Sequence, residues 1–107
     1  MTDETISLDD PYLHLHAEFF GGWAPVQAWG DVAGWPFYFR SRGQRWTFAV
    51  ATQDGIDATD VYSNDRGFFR EESYGEGEFD ASYMPPVEAR KIIRRCCKEF
   101  LAELGGV

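Results

Sequence analysis

Between Pro25 and Thr52 apolar and polar positions alternate with a period of two, and short glycine-containing turns interrupt the run at Ala33-Gly34 and Gly43-Gln44. That period sends successive side chains to opposite faces of a strand. With Ala33-Gly34 as a two-residue turn, Val32 opposes Trp35, Gly30 opposes Phe37 and Ala28 opposes Phe39, so small residues face large aromatics. With Gly43-Gln44 as the next turn, Ser41 opposes Trp46, Phe39 opposes Phe48 and Phe37 opposes Val50. The two registers give the same face to the apolar set, and a slip of one residue in either would destroy the agreement. Pro25 and Pro36 fall near strand beginnings, where a missing N–H is tolerated.

The period changes after Pro86. At about 100° per residue, Ala89, Ile92, Ile93, Cys96, Cys97, Phe100, Leu101 and Leu104 share one broad face, which predicts a helix over 86–104. Pro86 suits its first position, Glu88 suits the positive end of its dipole, and Gly105-Gly106 closes it. This face and the aromatic face of the sheet each need a cover, and each supplies the other's.

The flanking segments are less regular. Residues 1–10 are polar and aperiodic and read as a disordered N-terminal tail, leaving 11–107 as a single domain. Asp10-Pro11 suits the start of a short helix, but Leu13, Leu15, Ala17 and Phe19 alternate with His14, His16 and Glu18, which favours a strand. Residues 53–85 are too many for a structureless connection, so one or two further strands are expected near Val61–Ser63 and Phe68–Glu72, turned at Asn64-Asp65-Arg66-Gly67. The expected fold is α+β, an antiparallel meander of about four strands, with one or two more in 53–85, packed by one face on a single C-terminal helix.

Composition narrows the function class. At 107 residues, 44% of them apolar and 17% aromatic, the chain has the means for one core without metal or disulfide staples. No run approaches the roughly 18–20 apolar residues of a membrane span, and the N-terminus is acidic where a signal peptide is basic. Cys96 and Cys97 are adjacent, a spacing that seldom meets disulfide geometry, so both are read as free thiols. A cytoplasmic location is the expectation. The net charge of −8 disfavours direct binding to nucleic acid or anionic lipid and favours a basic partner. Residues 1–85 hold 15 acidic and 5 basic side chains, whereas 86–107 hold 3 and 5.

Four constellations are candidates for chemistry. On a strand His14, His16 and Glu18 would share one side, a facial set able to take a divalent metal, although an His-x-His pair equally serves as ordinary packing. On the outward face of the meander, Trp29, Tyr38 and Ala49 form one cross-strand row and Gln27, Arg40 and Thr47 the next. This surface is either an exposed interface or the floor of a second small core under 53–85. The stretch 54–80 carries Asp54, Asp57, Asp60, Asp65, Glu71, Glu72, Glu76, Glu78 and Asp80 among aromatics, which reads as a nucleic-acid-mimicking surface or as a solvated acidic face. The polar side of the helix carries Arg90, Lys91, Arg94, Arg95 and Lys98, with like charges at i,i+4 that cost about 0.2–0.5 kcal/mol each unless neutralised. The acidic stretch of the same chain, or of a second copy in a homodimer, would supply the counter-charge.

There is no phosphate-binding glycine loop, no Cys-x-x-Cys pair and no nucleophile elbow, and both thiols lie on the apolar helix face. No catalytic residues and no cofactor are therefore expected. The sequence reads as a non-enzymatic acidic protein that engages a basic partner, with a nucleic-acid enzyme or complex as one candidate. An inhibitor, immunity or anti-defence factor of phage or bacterial type has these gross properties. The alternatives are a metal or small-ligand protein built on His14, His16 and Glu18, and an oligomerising assembly protein.

Overall fold

The computed structural model describes residues 7–22 and 25–105. Five strands, β1 (Leu15–Gly21), β2 (Val26–Val32), β3 (Trp35–Arg42), β4 (Arg45–Ala51) and β5 (Gly67–Ser73), form one antiparallel sheet in the order β1-β2-β3-β4-β5, and α1 (Pro86–Leu104) follows. The α+β class and the antiparallel meander are as expected, and β5 is the further strand expected near Phe68–Glu72. Every pair in the two central hairpins has the expected register, from Val32↔Trp35 to Ala28↔Phe39 and from Ser41↔Trp46 to Phe37↔Val50. At the first turn Ala33 and Gly34 take φ of 52° and 83°, the left-handed pair that matches strand twist in a two-residue hairpin.

The inner face of the sheet meets α1. Phe37, Phe39, Phe48, Ile93, Cys96 and Cys97 are almost wholly buried in one cluster. Rings carry the contact across: Phe37 stacks on Phe48 at 5.8 Å, Phe48 meets Phe68 edge-on at 6.1 Å, and Phe68 meets Phe100 edge-on at 5.4 Å. Arg70 lies over the Phe68 ring at 4.0 Å and reaches Glu99 at 3.0 Å and Glu103 at 2.8 Å, which ties β5 to the last turns of α1. The crossover from β5 to α1 is pinned to the β3–β4 hairpin. The Tyr74 and Ala81 N–H groups donate to the Gln44 and Gly43 carbonyls, the buried Ser41 hydroxyl donates to the Ala81 carbonyl, and the Gly43 N–H donates to the Ser82 hydroxyl.

Three expectations are corrected. Of the tail assigned to residues 1–10, positions 7–10 belong to the domain, while 1–6 lie outside the described residues. Leu8 is buried in the core, Asp9 accepts from the Ala17 N–H, and Asp10 caps a single 3-10 turn at Pro11–Leu13. Asp10-Pro11 thus opens one helical turn before the strand begins. The second correction is Val61–Ser63, which is no strand: a 3-10 turn at Ala58–Asp60 precedes it, and Val61 is buried under the outer face instead of joining the sheet. Third, Leu104 is 47% exposed and so adds little to the buried part of the apolar helix face. The helix does end where closure was expected, with Gly105 as its cap and the Gly105 N–H donating to the Leu101 carbonyl. Among the described residues no helix is long and apolar enough to cross a membrane.

Two backbone positions test the sheet. A Cβ on Gly30 would strike the His16 carbonyl oxygen and the Ala17 Cα, both backbone atoms of the neighbouring strand, so Gly30→Ala forces β1 away from β2. We expect a loss of about 2–3 kcal/mol in denaturant unfolding; an unchanged midpoint would mean that β1 is not held this close. Ala33 pays for left-handed geometry without asparagine's local hydrogen bonding, and Ala33→Asn should raise stability by about 0.5–1 kcal/mol.

Candidate functional site

The outer face of the sheet divides into three zones, and a bulge in β1 sets the first. Ala17 pairs with Gly30 and Phe19 with Trp29, leaving Glu18 as the extra residue between them. The alternation therefore shifts at Glu18. Phe20 turns toward the core, and Phe19, expected on the inner face with Leu15 and Ala17, turns outward instead. There it stacks on Trp29 at 4.5 Å and 19°, and Trp29 continues the row to Tyr38 at 6.4 Å. Phe19 and Trp29 remain 38% and 39% exposed. The Tyr38 hydroxyl donates to Gln27 Oε1 at 2.6 Å, which fixes the end of the row.

The second zone is covered. Residues 52–66 fold over the β3–β5 part of the face, where Ala49, Ala51, Ala58 and Val61 form a small second core edged by Tyr38, Ile56 and Phe69. Both alternatives from the sequence are thus realised, each on part of the sheet. Where the covering loop meets the aromatic row a cleft of about 510 Å³ opens, lined among others by Glu18, Trp29, Tyr38 and Asp57.

The third zone is cationic. Arg40 of the Gln27–Arg40–Thr47 row, together with Arg42 and Arg45 from the facing ends of β3 and β4, lines a concavity of about 700 Å³ with Glu78 also in its wall. Arg45 pairs with Glu71 at 3.0 Å.

The nine carboxylates of 54–80 do not form one belt. Asp54, Asp57, Asp60 and Asp65 lie before β5, and Glu76, Glu78 and Asp80 follow it. The seven-residue strand between them separates the two groups by about 20 Å along the sheet. Several have internal work. Asp57 caps its 3-10 turn through the Thr59 N–H and hydroxyl, and Glu71 and Glu72 pair with Arg45 and Arg95. Asp80 accepts from the Gly77 and Glu76 N–H groups, which hold its carboxyl below the usual carboxylate range.

The helix ridge is neutralised within the molecule at three of five positions. Arg94 lies 3.3 Å from Asp10, Arg95 lies 3.2 Å from Glu72, and Lys91 lies 3.8 Å from Glu88; among the described residues Arg90 and Lys98 make no ion pair. Only Glu72 of these partners comes from the acidic stretch.

The His14, His16 and Glu18 set is not assembled. His14 precedes β1 with left-handed backbone at φ 50°, and Glu18 sits on the bulge, so neither follows the alternation that would have aligned them with His16. His16 approaches Asp9 instead, at 3.5 Å. Among the described residues no group of three or more His, Cys, Asp or Glu side chains is placed to hold a metal ion. Cys96 and Cys97 are buried free thiols, and burial pushes each up to about 12.

Phe19, Arg42 and Arg45 were not singled out from sequence. The Phe19-Phe20 pair carried a signal, because two adjacent large apolar residues on a strand leave one facing outward. The chain matches no protein-family model, no curated protein and no solved structure.

Thiol burial makes a direct prediction. The folded thiols ionise near 12 and unfolded ones near the ordinary 9.0, so their contribution to stability is complete below pH 9 and is lost as pH rises from 9 to 12. At mildly alkaline pH both cysteines should resist iodoacetamide in the native protein and react after denaturation; rapid labelling of the native chain would contradict their burial.

Proposed function

We propose that this chain is a non-enzymatic binding protein whose outer sheet face receives a basic segment of a partner protein, in the manner of a small inhibitor, immunity or anti-defence factor. The observation that supports the reading is the Phe19–Trp29–Tyr38 row, ordered by stacking yet left open beside the Glu18 and Asp57 carboxylates. A lysine or arginine side chain suits this cleft, its aliphatic stem lying on the apolar ring edges and its head reaching a carboxylate. Rigid aromatics next to a loop-walled cleft are the composition of an interface hot spot, and such surfaces are uncommon on monomers without a use. The net charge of −8 would steer a cationic partner at long range. The division of the acidic stretch between two ends of the sheet moves the proposed contact from that stretch to the outer face.

The test is capture from the native host with wild-type chain, with Trp29→Ala and with Glu76→Gln/Glu78→Gln. A basic protein should be retained by the wild type and by the glutamine variant, released by added salt, and weakened about tenfold or more by Trp29→Ala. Retention of the same protein at the same strength by Trp29→Ala would remove the aromatic row from the function. Recovery of only a second copy of the chain would favour the assembly reading.

A further inference from the structure

We propose that the arginine-lined concavity at the β3–β4 hairpin is a site for a small oxyanion, a phosphate or carboxylate group. It is separate from the cleft beside Glu18 and Asp57, and it does not depend on the reading of that cleft.

Three observations point to an anion. Arg42 and Arg45 are directly opposed across the β3–β4 ladder, a like-charge pair that destabilises a sheet unless something neutralises it. Glu71 answers only one of them, binding Arg45 Nη1 at 3.0 Å, and among the described residues neither Arg40 nor Arg42 has an ion-pair partner. Glu78 stands in the wall of the concavity without pairing with any of the three.

The second observation is at Arg40. Its Nε is buried and donates to nothing among the described residues. Its cross-strand neighbour Gln27 has its amide oxygen engaged by the Tyr38 hydroxyl, and its other neighbour is Thr47. An enclosed donor without an acceptor leaves the Arg40 charge poorly compensated, and an oxyanion held by the accessible part of the side chain in the concavity would supply the counter-charge.

The third is the shape. The concavity lined by Arg40, Arg42 and Arg45 holds about 700 Å³, which is ample for a phosphate or carboxylate group and its water. Charge decides between a small anion and a polyanion. In a chain of −8, the positive field of three arginines is local, and beyond a Debye length of about 8 Å a polyanion meets repulsion. A single oxyanion stays within the basin.

Side-chain NMR of the full chain tests this at constant ionic strength. Titration with inorganic phosphate should move the Arg40 Nε–H resonance along a saturable curve. Arg42→Gln, an exposed change whose folding is checked by the backbone spectrum, should weaken that binding at least about fivefold, while Arg90→Gln on the helix should leave it unchanged. A parallel titration with acetate separates the sources: saturation at equal or lower concentration than phosphate identifies a carboxylate ligand, and much weaker saturation identifies a phosphoryl group. No saturable shift with either anion, or the same curve in wild type and Arg42→Gln, would overturn the proposal and leave only diffuse counter-ion attraction.

Discussion

Everything else in the molecule depends on one apolar sheet face being closed by one helix. Phe37, Phe39, Phe48, Val50 and Phe68 stand on that face, and α1 answers with Ala89, Ile93, Cys96, Cys97 and Phe100. Each large side chain so buried contributes about 1.5–3 kcal/mol, and no other element has enough apolar surface to replace the helix. The interlocking edge-on rings of Phe48, Phe68 and Phe100 make β5 part of this closure, and Arg70 fixes it by holding Glu99 and Glu103 from a place over Phe68. The pinned crossover keeps the helix on its own sheet: Ser41, Gly43 and Gln44 of the hairpin hold Tyr74, Ala81 and Ser82 before the chain enters α1.

With the inner face spent on stability, the outer face is where function has room. Loop 52–66 covers the face from β3 to β5, because small Ala49 and Ala51 let Ala58 and Val61 approach closely there. On the β1–β2 side the bulge at Glu18 adds Phe19 to an outward row that already held Trp29 and Tyr38. A one-residue irregularity at an edge strand thus extends an aromatic patch to the border of the sheet and places a carboxylate beside it. Bulges are used in this way, to re-aim side chains near sites.

The charges follow the same division. Most of the helix ridge is spent internally, through Asp10, Glu72 and Glu88, and this removes much of the like-charge repulsion that the isolated helix would suffer. Besides Arg90 and Lys98 on the ridge, unpaired charge lies on arginines at the hairpin end of the outer face and on carboxylates gathered at both ends of β5. Acidic in total, the protein presents surfaces of both signs, and total charge describes its solubility and long-range steering better than it describes its contacts.

The sequence by itself determined the central meander and the helix, because period-two alternation, two-residue turns and a 3.6-residue apolar face are local signals that reinforce one another. The pairing of Ala28 with Phe39 and Phe39 with Phe48, and the helix limits of Pro86 and Leu104, are legible for that reason. The rows Trp29–Tyr38–Ala49 and Gln27–Arg40–Thr47 followed from the same register. Tertiary structure alone decided the rest. The Glu18 bulge arises from competition between Phe19 and Phe20 for the core, and a strict alternation cannot express it. Leu8 and Val61 are buried by contacts with elements distant in the chain, so their aperiodic surroundings read as tail and strand. The acidic stretch looked continuous because neighbours in sequence are close in text, whereas a strand of seven residues carries them to opposite ends of a sheet.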